Sequence, residues 1–130
     1  MLKQTVTHAG DRPVILMDSI TKVESGDAGA IVVSASHGGQ SSGEFALAVP
    51  LTAVFFNDAG IGKDEAGVAG LAMLDAQGVP ACAIGHESGR IGDAADMWAH
   101  GLLTRVNDAA AARGAAAGMT VEEAVRRLAP

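Results

Sequence analysis

Aromatic residues are scarce in this chain, which has no tyrosine, one tryptophan and three phenylalanines among 130 residues. Its hydrophobic share of 48% therefore comes mainly from alanine, valine, leucine and isoleucine. Small side chains, including those of the 17 glycines, let backbones approach closely within a fold or between subunits. We therefore expect compact layers and a homo-oligomer.

Cysteine is nearly absent, since Cys82 is the only one. It lies in the apolar segment VPACAI, so we expect a buried thiol and a reducing cytoplasm rather than a disulfide. Long apolar runs are also absent, and no segment reaches the roughly 18 apolar residues that predict a transmembrane helix. The first residues, MLKQTVTHAGDRP, lack the apolar stretch of a signal peptide. We therefore expect a cytoplasmic protein without a membrane partner.

Positive charge is in the minority, with 9 lysines and arginines against 15 acidic residues and a formal net charge of −6. Proteins that coat nucleic acid or bind anionic membranes need a concentrated positive face. The sequence contains no basic stripe. A small molecule is therefore the expected partner, and nucleic acid is not.

Five short apolar runs predict the strands of a sheet. Their nearly continuous hydrophobicity is typical of strands covered on both faces, and helical patterns separate most of them. The predicted fold is a single α/β domain over residues 1–130, a three-layer α/β/α sandwich around a mostly parallel sheet of about five strands, Rossmann-like or flavodoxin-like. Residues 19–29 leave little room for a crossover helix, so an antiparallel first strand is an alternative. The runs are residues 14–17, 30–34, 52–56, 79–84 and 102–106.

Capping residues predict where the helices begin. Ser41 and Thr120 are each followed three residues later by glutamate, which is the pattern of a capping box. The best-defined crossover helix is predicted over residues 64–77, with Gly78 as a left-handed stop. Asp93 and Asn107 predict the starts of two further helices.

Three polar loops follow predicted strands. They are SHGGQSSGEF from residue 36, NDAGIGKDEAG from residue 57 and HESGRIGD from residue 86. Turn geometry explains the glycines, asparagine, aspartates and serines, but it does not explain His37, Lys63, His86 and Arg90. Because ligands of open parallel sheets bind outside the carboxyl ends of the strands, the loops predict a shared functional site.

The glycines and cations of these loops predict a site for a small anion. Backbone N–H groups near helix starts attract negative charge, and a guanidinium suits a carboxylate or phosphate. For Arg90, a surface ion pair with Glu87 or Asp93 is the alternative. The residues predicted to hold the anion are Gly38, Gly39, Asn57, Gly60, Gly62, Lys63, Arg90 and Gly92.

Two histidines at neighbouring strand ends predict acid–base chemistry, because imidazole titrates close to neutral pH. His37 and His86 are the candidate proton carriers, and Asp58 is the candidate for orienting one ring or acting as a base. Ser36 and Ser88 are candidate nucleophiles. In the segment GHESG, Ser88 lies one residue later than the serine of a GxSxG motif, so this loop does not predict an α/β-hydrolase.

A metal site and a nucleotide site are alternatives. His37, Asp58 and His86 could together offer two imidazoles and a carboxylate to a metal ion, although no HxxxH or CxxC pair is present and the sequence requires no cofactor. The segment GIGKD matches only the end of a phosphate-binding loop. Asn57 stands where that motif has its first glycine, and Asp64 replaces its serine or threonine.

Together these features predict a small enzyme that acts on a compact anionic metabolite by acid–base chemistry. The reaction would be hydrolysis of an amide-like bond, or the proton transfer of a lyase or isomerase. The alternative is a noncatalytic ligand-binding or accessory subunit that recognises a small anion or nucleotide with the same loops.

Overall fold

A computed structural model describes all 130 residues. One six-stranded sheet forms its centre, and five short α-helices accompany it. The strands are β1 (Lys3–Ala9), β2 (Arg12–Met17), β3 (Ile31–His37), β4 (Ala53–Asn57), β5 (Ala81–Ile84) and β6 (Leu103–Val106). The helices are α1 (Gln40–Leu47), α2 (Ala69–Ala76), α3 (Ala94–His100), α4 (Asp108–Ala112) and α5 (Val121–Leu128).

The strands lie in the sheet in the same order as in the chain. The pairs from β2 to β5 are parallel, whereas β1 pairs antiparallel with β2, and β6 pairs antiparallel with β5. The predicted α/β fold with a mostly parallel sheet is therefore confirmed. Its sequential order differs from the strand orders of the Rossmann and flavodoxin folds, in which the first strand lies inside the sheet.

All five predicted strands are present, as β2 to β6, and β1 is an additional edge strand. The sequence does not predict β1 because its side chains, including exposed Thr5 and Thr7, are mostly polar. A turn at Gly10, whose φ is 62°, joins β1 to β2. The connection from β2 to β3 contains only two 3₁₀ turns, Ile20–Lys22 and Ser25–Asp27, yet the two strands are parallel.

Two hydrophobic clusters lie on opposite faces of the sheet. Successive apolar residues of β2 to β5 belong to different clusters, so Phe55 and Phe56 of β4 are both fully buried but on different faces. Met97 of α3 and Leu128 of α5 join the cluster of Phe55, whereas Leu74 of α2 joins that of Phe56. Helices therefore cover both faces, as a three-layer sandwich requires.

Three of the four predicted caps are observed. The side chains of Asp93, Asn107 and Thr120 each accept a hydrogen bond from the backbone N–H three residues later. The prediction is wrong at Ser41, because α1 begins after Gly39 and Ser41 lies inside the helix. The helix therefore begins two residues earlier than a cap at Ser41 would place it, and its N-cap, Gly39, has no side chain to form a capping hydrogen bond.

The predicted helix over residues 64–77 is divided. Lys63–Val68 forms a 3₁₀ segment in which Asp64 and Glu65 have left-handed conformations, and α2 begins only at Ala69. Gly78 ends it with a φ of 71°, as predicted. No α-helix exceeds eight residues, and none is long and apolar enough to cross a membrane.

The connections that follow β4 and β5 lie on opposite faces of the sheet. α1 and α2, which follow β3 and β4, contribute to one hydrophobic cluster, and α3, which follows β5, contributes to the other. On its way to α3 the chain passes over the strand ends, where Gly92 N–H donates a 3.0 Å hydrogen bond to Ala35 O. The connections that follow β4 and β5 therefore diverge at the carboxyl ends of these strands, the end of an open parallel sheet at which ligands bind.

Candidate functional site

The three polar loops begin at one edge of the sheet, the edge formed by the carboxyl ends of β3, β4 and β5. Asn57, the last residue of β4, is in register with His37 of β3 and with Ile84 of β5. Asp58 follows Asn57 directly, and His86 follows Ile84 by two residues. Because neighbouring strands are about 4.8 Å apart, the backbones at His37 and Ile84 are separated by roughly 10 Å, with β4 between them.

Asp58 is buried, with 4% of its surface exposed, and both of its carboxylate oxygens accept hydrogen bonds. Oδ1 accepts from Gly60 N–H (2.8 Å), from His86 N–H (3.1 Å) and from the ring Nδ1 of His86 (3.2 Å). Oδ2 accepts from the hydroxyl of Thr104 at 2.7 Å. Burial acts to raise the pKa of Asp58, but these hydrogen bonds outweigh it and leave the pKa below its ordinary value. The carboxylate is therefore ionised at neutral pH.

The partner of His86 determines which ring nitrogen carries the proton. An ionised carboxylate can only accept a hydrogen bond, so Nδ1 of His86 must be protonated, and Nε2 of the neutral ring has a free lone pair. The side chain is 48% exposed, and Nε2 lies 4.0 Å from Glu87 Oε1, beyond hydrogen-bonding distance. Nε2 is therefore open to solvent and can accept a proton from a ligand.

His37 has the opposite arrangement. Gly39 N–H donates a 3.0 Å hydrogen bond to Nδ1 of His37, so this nitrogen is unprotonated and the neutral ring carries its proton on Nε2. The residue is exposed. The two histidines at this edge thus present a hydrogen-bond acceptor at Nε2 of His86 and a hydrogen-bond donor at Nε2 of His37.

The two candidate serine nucleophiles stabilise the backbone instead. Ser36 Oγ accepts a hydrogen bond from Ile20 N–H at 2.9 Å. Ser88 Oγ accepts from Leu102 N–H at 2.9 Å and donates to Gly85 O at 3.1 Å. Neither hydroxyl bonds to a histidine or lysine, so no base activates it. The geometry does not support the nucleophilic role expected from the sequence.

The glycine N–H groups expected to bind an anion are already hydrogen bonded within the chain. Their donor–acceptor distances lie between 2.8 and 3.1 Å. These groups are not free donors, because the loops use them to close their own turns, so this part of the expected anion site needs correction. The pairs are Gly38 with Asn57 O, Gly39 with His37 Nδ1, Gly60 with Asp58 Oδ1, Gly62 with Gly60 O and Gly92 with Ala35 O.

Asn57, also expected to contact an anion, is fully buried and fixes two loops instead. Its Nδ2 donates to Gly89 O, and its Oδ1 accepts from Ala59 N–H. Lys63 and Arg90 are exposed and form no ion pair, so they remain available to a ligand. The alternative pairing of Arg90 with Glu87 or Asp93 is not observed.

The loop after Asp58 is strained. Four non-glycine residues within it have φ between 50° and 67°, a region that costs about 1–3 kcal/mol per residue and occurs often at functional sites. A short hydrogen bond of 2.6 Å, from Ile61 N–H to Asp58 O, helps to hold this conformation. The four residues are Ala59, Ile61, Asp64 and Glu65.

The structure contains no group of three or more His, Cys, Asp and Glu side chains that could hold a metal ion. The alternative ligand set of His37, Asp58 and His86 is therefore not assembled. Asp58 and His86 instead hydrogen bond to each other, and Nδ1 of His37 accepts from Gly39 N–H.

A cavity of about 520 Å³ lies elsewhere, between α2 and β6. Its wall is acidic, with Asp64, Glu65, Asp75 and Asp108 against a single arginine, and neither His37 nor His86 lines it. It therefore does not correspond to the anion site expected from the sequence.

Thr104 is the residue at this site that the sequence does not predict. It lies in β6, within LLTRV, a segment that carries no loop or motif signal. Only the three-dimensional pairing of β5 with β6 brings its hydroxyl to Asp58.

Comparisons of the chain with models of protein families, with curated proteins and with solved structures give no match.

Proposed function

We propose that the protein is an acid–base enzyme acting on a small anionic molecule, with His86 as the general base. The observation that carries the proposal is the 3.2 Å contact between Nδ1 of His86 and Oδ1 of the buried, ionised Asp58. This contact fixes the tautomer in which Nε2 is the free base, and it stabilises the imidazolium that forms when Nε2 takes a proton. Asp58 therefore orients and assists His86 rather than acting as the base.

His37 has a complementary role in this proposal. Its Nε2–H can donate a hydrogen bond to a substrate oxygen that gains negative charge as His86 removes a proton nearby. The ends of β3 and β5, which lead into the two loops, are roughly 10 Å apart, which leaves room for a compact molecule between the loops. Both histidines therefore serve one proton transfer, His86 as its base and His37 as a hydrogen-bond donor.

Proton transfer fits the site better than acyl transfer to serine. Ser36 and Ser88 are each bonded to the backbone and have no activating base. A lyase or isomerase reaction needs no protein nucleophile, because the base takes a proton from carbon and the proton is returned to another atom. Lys63 and Arg90, exposed and unpaired, supply the positive charge that an anionic substrate requires.

Deuterium exchange tests this function before the substrate is known. The protein is incubated in deuterium oxide with a panel of small carboxylates and phosphates that carry a carbonyl group next to a C–H bond, and incorporation is followed by NMR. The wild type should exchange at least one compound, and His86→Gln should slow that exchange by about 10²-fold or more. His37→Gln should slow it less, and His8→Gln, which changes an exposed histidine of β1, should leave it unchanged.

Two outcomes would contradict the proposal. One is exchange that persists at the wild-type rate in His86→Gln. The other is binding of a panel compound without any exchange, which would favour the alternative of a noncatalytic ligand-binding or accessory subunit. Calorimetry on the same compounds separates binding from turnover.

A homo-oligomer and a cytoplasmic location also belong to this proposal. The first is supported by the abundance of glycine and alanine, and the second by a lone cysteine that is fully buried. Light scattering of the purified protein tests the first, and a mass corresponding to one chain would contradict it.

A further inference from the structure

We infer that Thr104 is a positioning residue, which sets the plane of the Asp58 carboxylate and, through it, the tautomer of His86. The inference rests on the proposed function in that it gives His86 the role of base. Thr104 forms no hydrogen bond with His86; its hydroxyl donates to Asp58. Its effect is transmitted by Asp58 alone.

The two oxygens of Asp58 are held differently. Oδ1 has three donors, two of them backbone N–H groups that no side-chain substitution removes. Oδ2 has one donor, the Thr104 hydroxyl at 2.7 Å. Rotation about the Cβ–Cγ bond moves both oxygens together, so a hydrogen bond to either oxygen opposes it, and the Thr104 bond is the only one that does so at Oδ2. Thr104 therefore supplies the second point of attachment.

An irregularity in the sheet aims the Thr104 hydroxyl at this oxygen. Ala83 of β5 is in register with Arg105 and Ile84 is in register with Leu103, so Thr104 between them has no register partner in β5, although its hydroxyl lies 3.5 Å from Ala83 O. Such a bulge changes the direction of a side chain and is frequent next to active sites. Here it directs a residue of β6 towards the end of β4, two strands away.

Gly85 opens the path across β5. A Cβ atom at this position would lie 2.9 Å from Cγ2 of Thr104, closer than such atoms pack. The absence of a side chain at Gly85 therefore allows Thr104 to reach Asp58. The bulge and the glycine are independent features, and both are needed for the same contact.

Removal of the Thr104 hydroxyl should first change the pKa of Asp58. In Thr104→Val, which keeps the shape of the side chain, Oδ2 is left buried without a donor. The loss of a hydrogen bond to the charged form raises the pKa of Asp58, because the Thr104 bond is the first of the contributions that lower it against the effect of burial. The freed carboxylate should also hold the Nδ1–H tautomer of His86 less completely.

The experiment is a pH titration by NMR of the full-length protein. The ¹³C signal of the Asp58 carboxyl reports its pKa, and the ¹⁵N signals of the His86 ring report its tautomer. Thr104→Val should raise the titration midpoint of Asp58 and reduce the Nδ1–H fraction of His86, whereas Thr104→Ser should restore wild-type behaviour. The matched control is Thr52→Val, which removes an equally short 2.7 Å hydrogen bond, to Gly29 O, at the opposite end of β4.

Further variants keep the test decisive. Gly85→Ala should shift both NMR readouts in the same direction as Thr104→Val, because its methyl group displaces Thr104. Thr104→Ala removes the hydroxyl without adding an atom and replaces Thr104→Val if the latter does not fold. Wild-type values of both readouts in a folded variant that lacks the hydroxyl would overturn the inference.

The NMR readouts need no substrate, so this inference and the proposed function fail separately. Loss of exchange in His86→Gln with unchanged NMR signals in Thr104→Val would remove only the role of Thr104. Where an exchanging compound is found, Thr104→Val should slow its exchange by roughly tenfold or more, and Thr104→Ser should not.

Discussion

The side chain of Asn57 donates a 2.8 Å hydrogen bond to the carbonyl oxygen of Gly89. Asn57 ends β4 and is fully buried, and Gly89 lies in the loop that begins with His86. The amide oxygen of Asn57 also accepts a 2.9 Å hydrogen bond from Ala59 N–H. One buried side chain therefore fixes both the loop that follows Asp58 and the loop that contains His86.

We expect Asn57→Ala to lower the free energy of unfolding by about 1–3 kcal/mol, because Gly89 O and Ala59 N–H lose their partner. Urea denaturation measures this loss. The ¹⁵N signals of His86 should broaden or shift as its loop loosens. Asn107→Ala is the control, since Asn107 is also a buried asparagine but bonds to Leu71 O and Val79 O, away from the histidines. If the ¹⁵N signals of His86 are the same in Asn57→Ala and Asn107→Ala, the role of Asn57 is contradicted.

The lowered pKa of Asp58 makes part of the stability depend on pH. A carboxyl group whose pKa is lower in the folded chain contributes stability above its unfolded pKa, near 4, and loses it as the pH falls through the folded pKa. Asp58→Asn should therefore lower the free energy of unfolding near neutral pH by about 1–3 kcal/mol, and the difference from wild type should shrink below about pH 4. Urea denaturation of both proteins, from neutral pH to below about pH 4, measures the loss of free energy and its dependence on pH.

Two comparisons calibrate the Asp58 result. Asp11→Asn, at a side chain that is 91% exposed, should change stability by less than about 0.5 kcal/mol at any pH. Some acid sensitivity should persist in Asp58→Asn because of Asp18. Burial acts to raise the pKa of Asp18, but hydrogen bonds from the N–H groups of Ala94 and Leu2 leave it lowered. A difference between Asp58→Asn and wild type that grows in acid would contradict the assignment.

The sheet could be predicted from the sequence where its strands are buried on both faces. Such strands are continuously apolar, so β2 to β5 are visible as runs of Val, Ile, Phe and Ala. β1 is not visible as an apolar run, because it is an edge strand and exposes Gln4, Thr5 and Thr7. Periodicity therefore indicates the centre of the sheet better than its edges.

The site could be predicted only in part. Because the carboxyl ends of parallel strands meet at one edge, the positions of His37, Asp58 and His86 follow from the strand pattern. The hydrogen-bond partners of the glycine N–H groups could not be predicted. A turn that only positions a histidine has the same composition as a turn that binds an anion. The contact of Thr104 with Asp58 depends on a bulge and on Gly85, neither of which has a local signal.

Gly70 should not tolerate a side chain. A Cβ there would lie 2.6 Å from Gly39 O and 2.9 Å from Gly38 O, where α2 contacts the start of α1. Gly70→Ala should lower the free energy of unfolding by about 1–3 kcal/mol, as overpacking does elsewhere. Gly26→Ala, with no atom within 4 Å, is the control and should differ from wild type by less than about 0.5 kcal/mol. Equal midpoint temperatures of thermal denaturation in the two variants would contradict this packing.

Cys82 should be chemically inert in the folded protein. Its side chain is fully buried in β5, and burial raises the pKa of the thiol to about 12. Since the thiolate is the reactive form, an aromatic disulfide reagent near neutral pH should modify no thiol in the native protein and one per chain in urea. Fast reaction of the native protein would show that β5 is not covered as described.

The tautomers of the two histidines are the most direct test of the site. They can be read from long-range ¹H–¹⁵N correlation spectra at about pH 8, where unperturbed imidazoles are neutral. We expect His86 to carry its proton on Nδ1 and His37 to carry its proton on Nε2. A proton on Nε2 of His86, or the same tautomer in both rings, would contradict the assignment of His86 as the base.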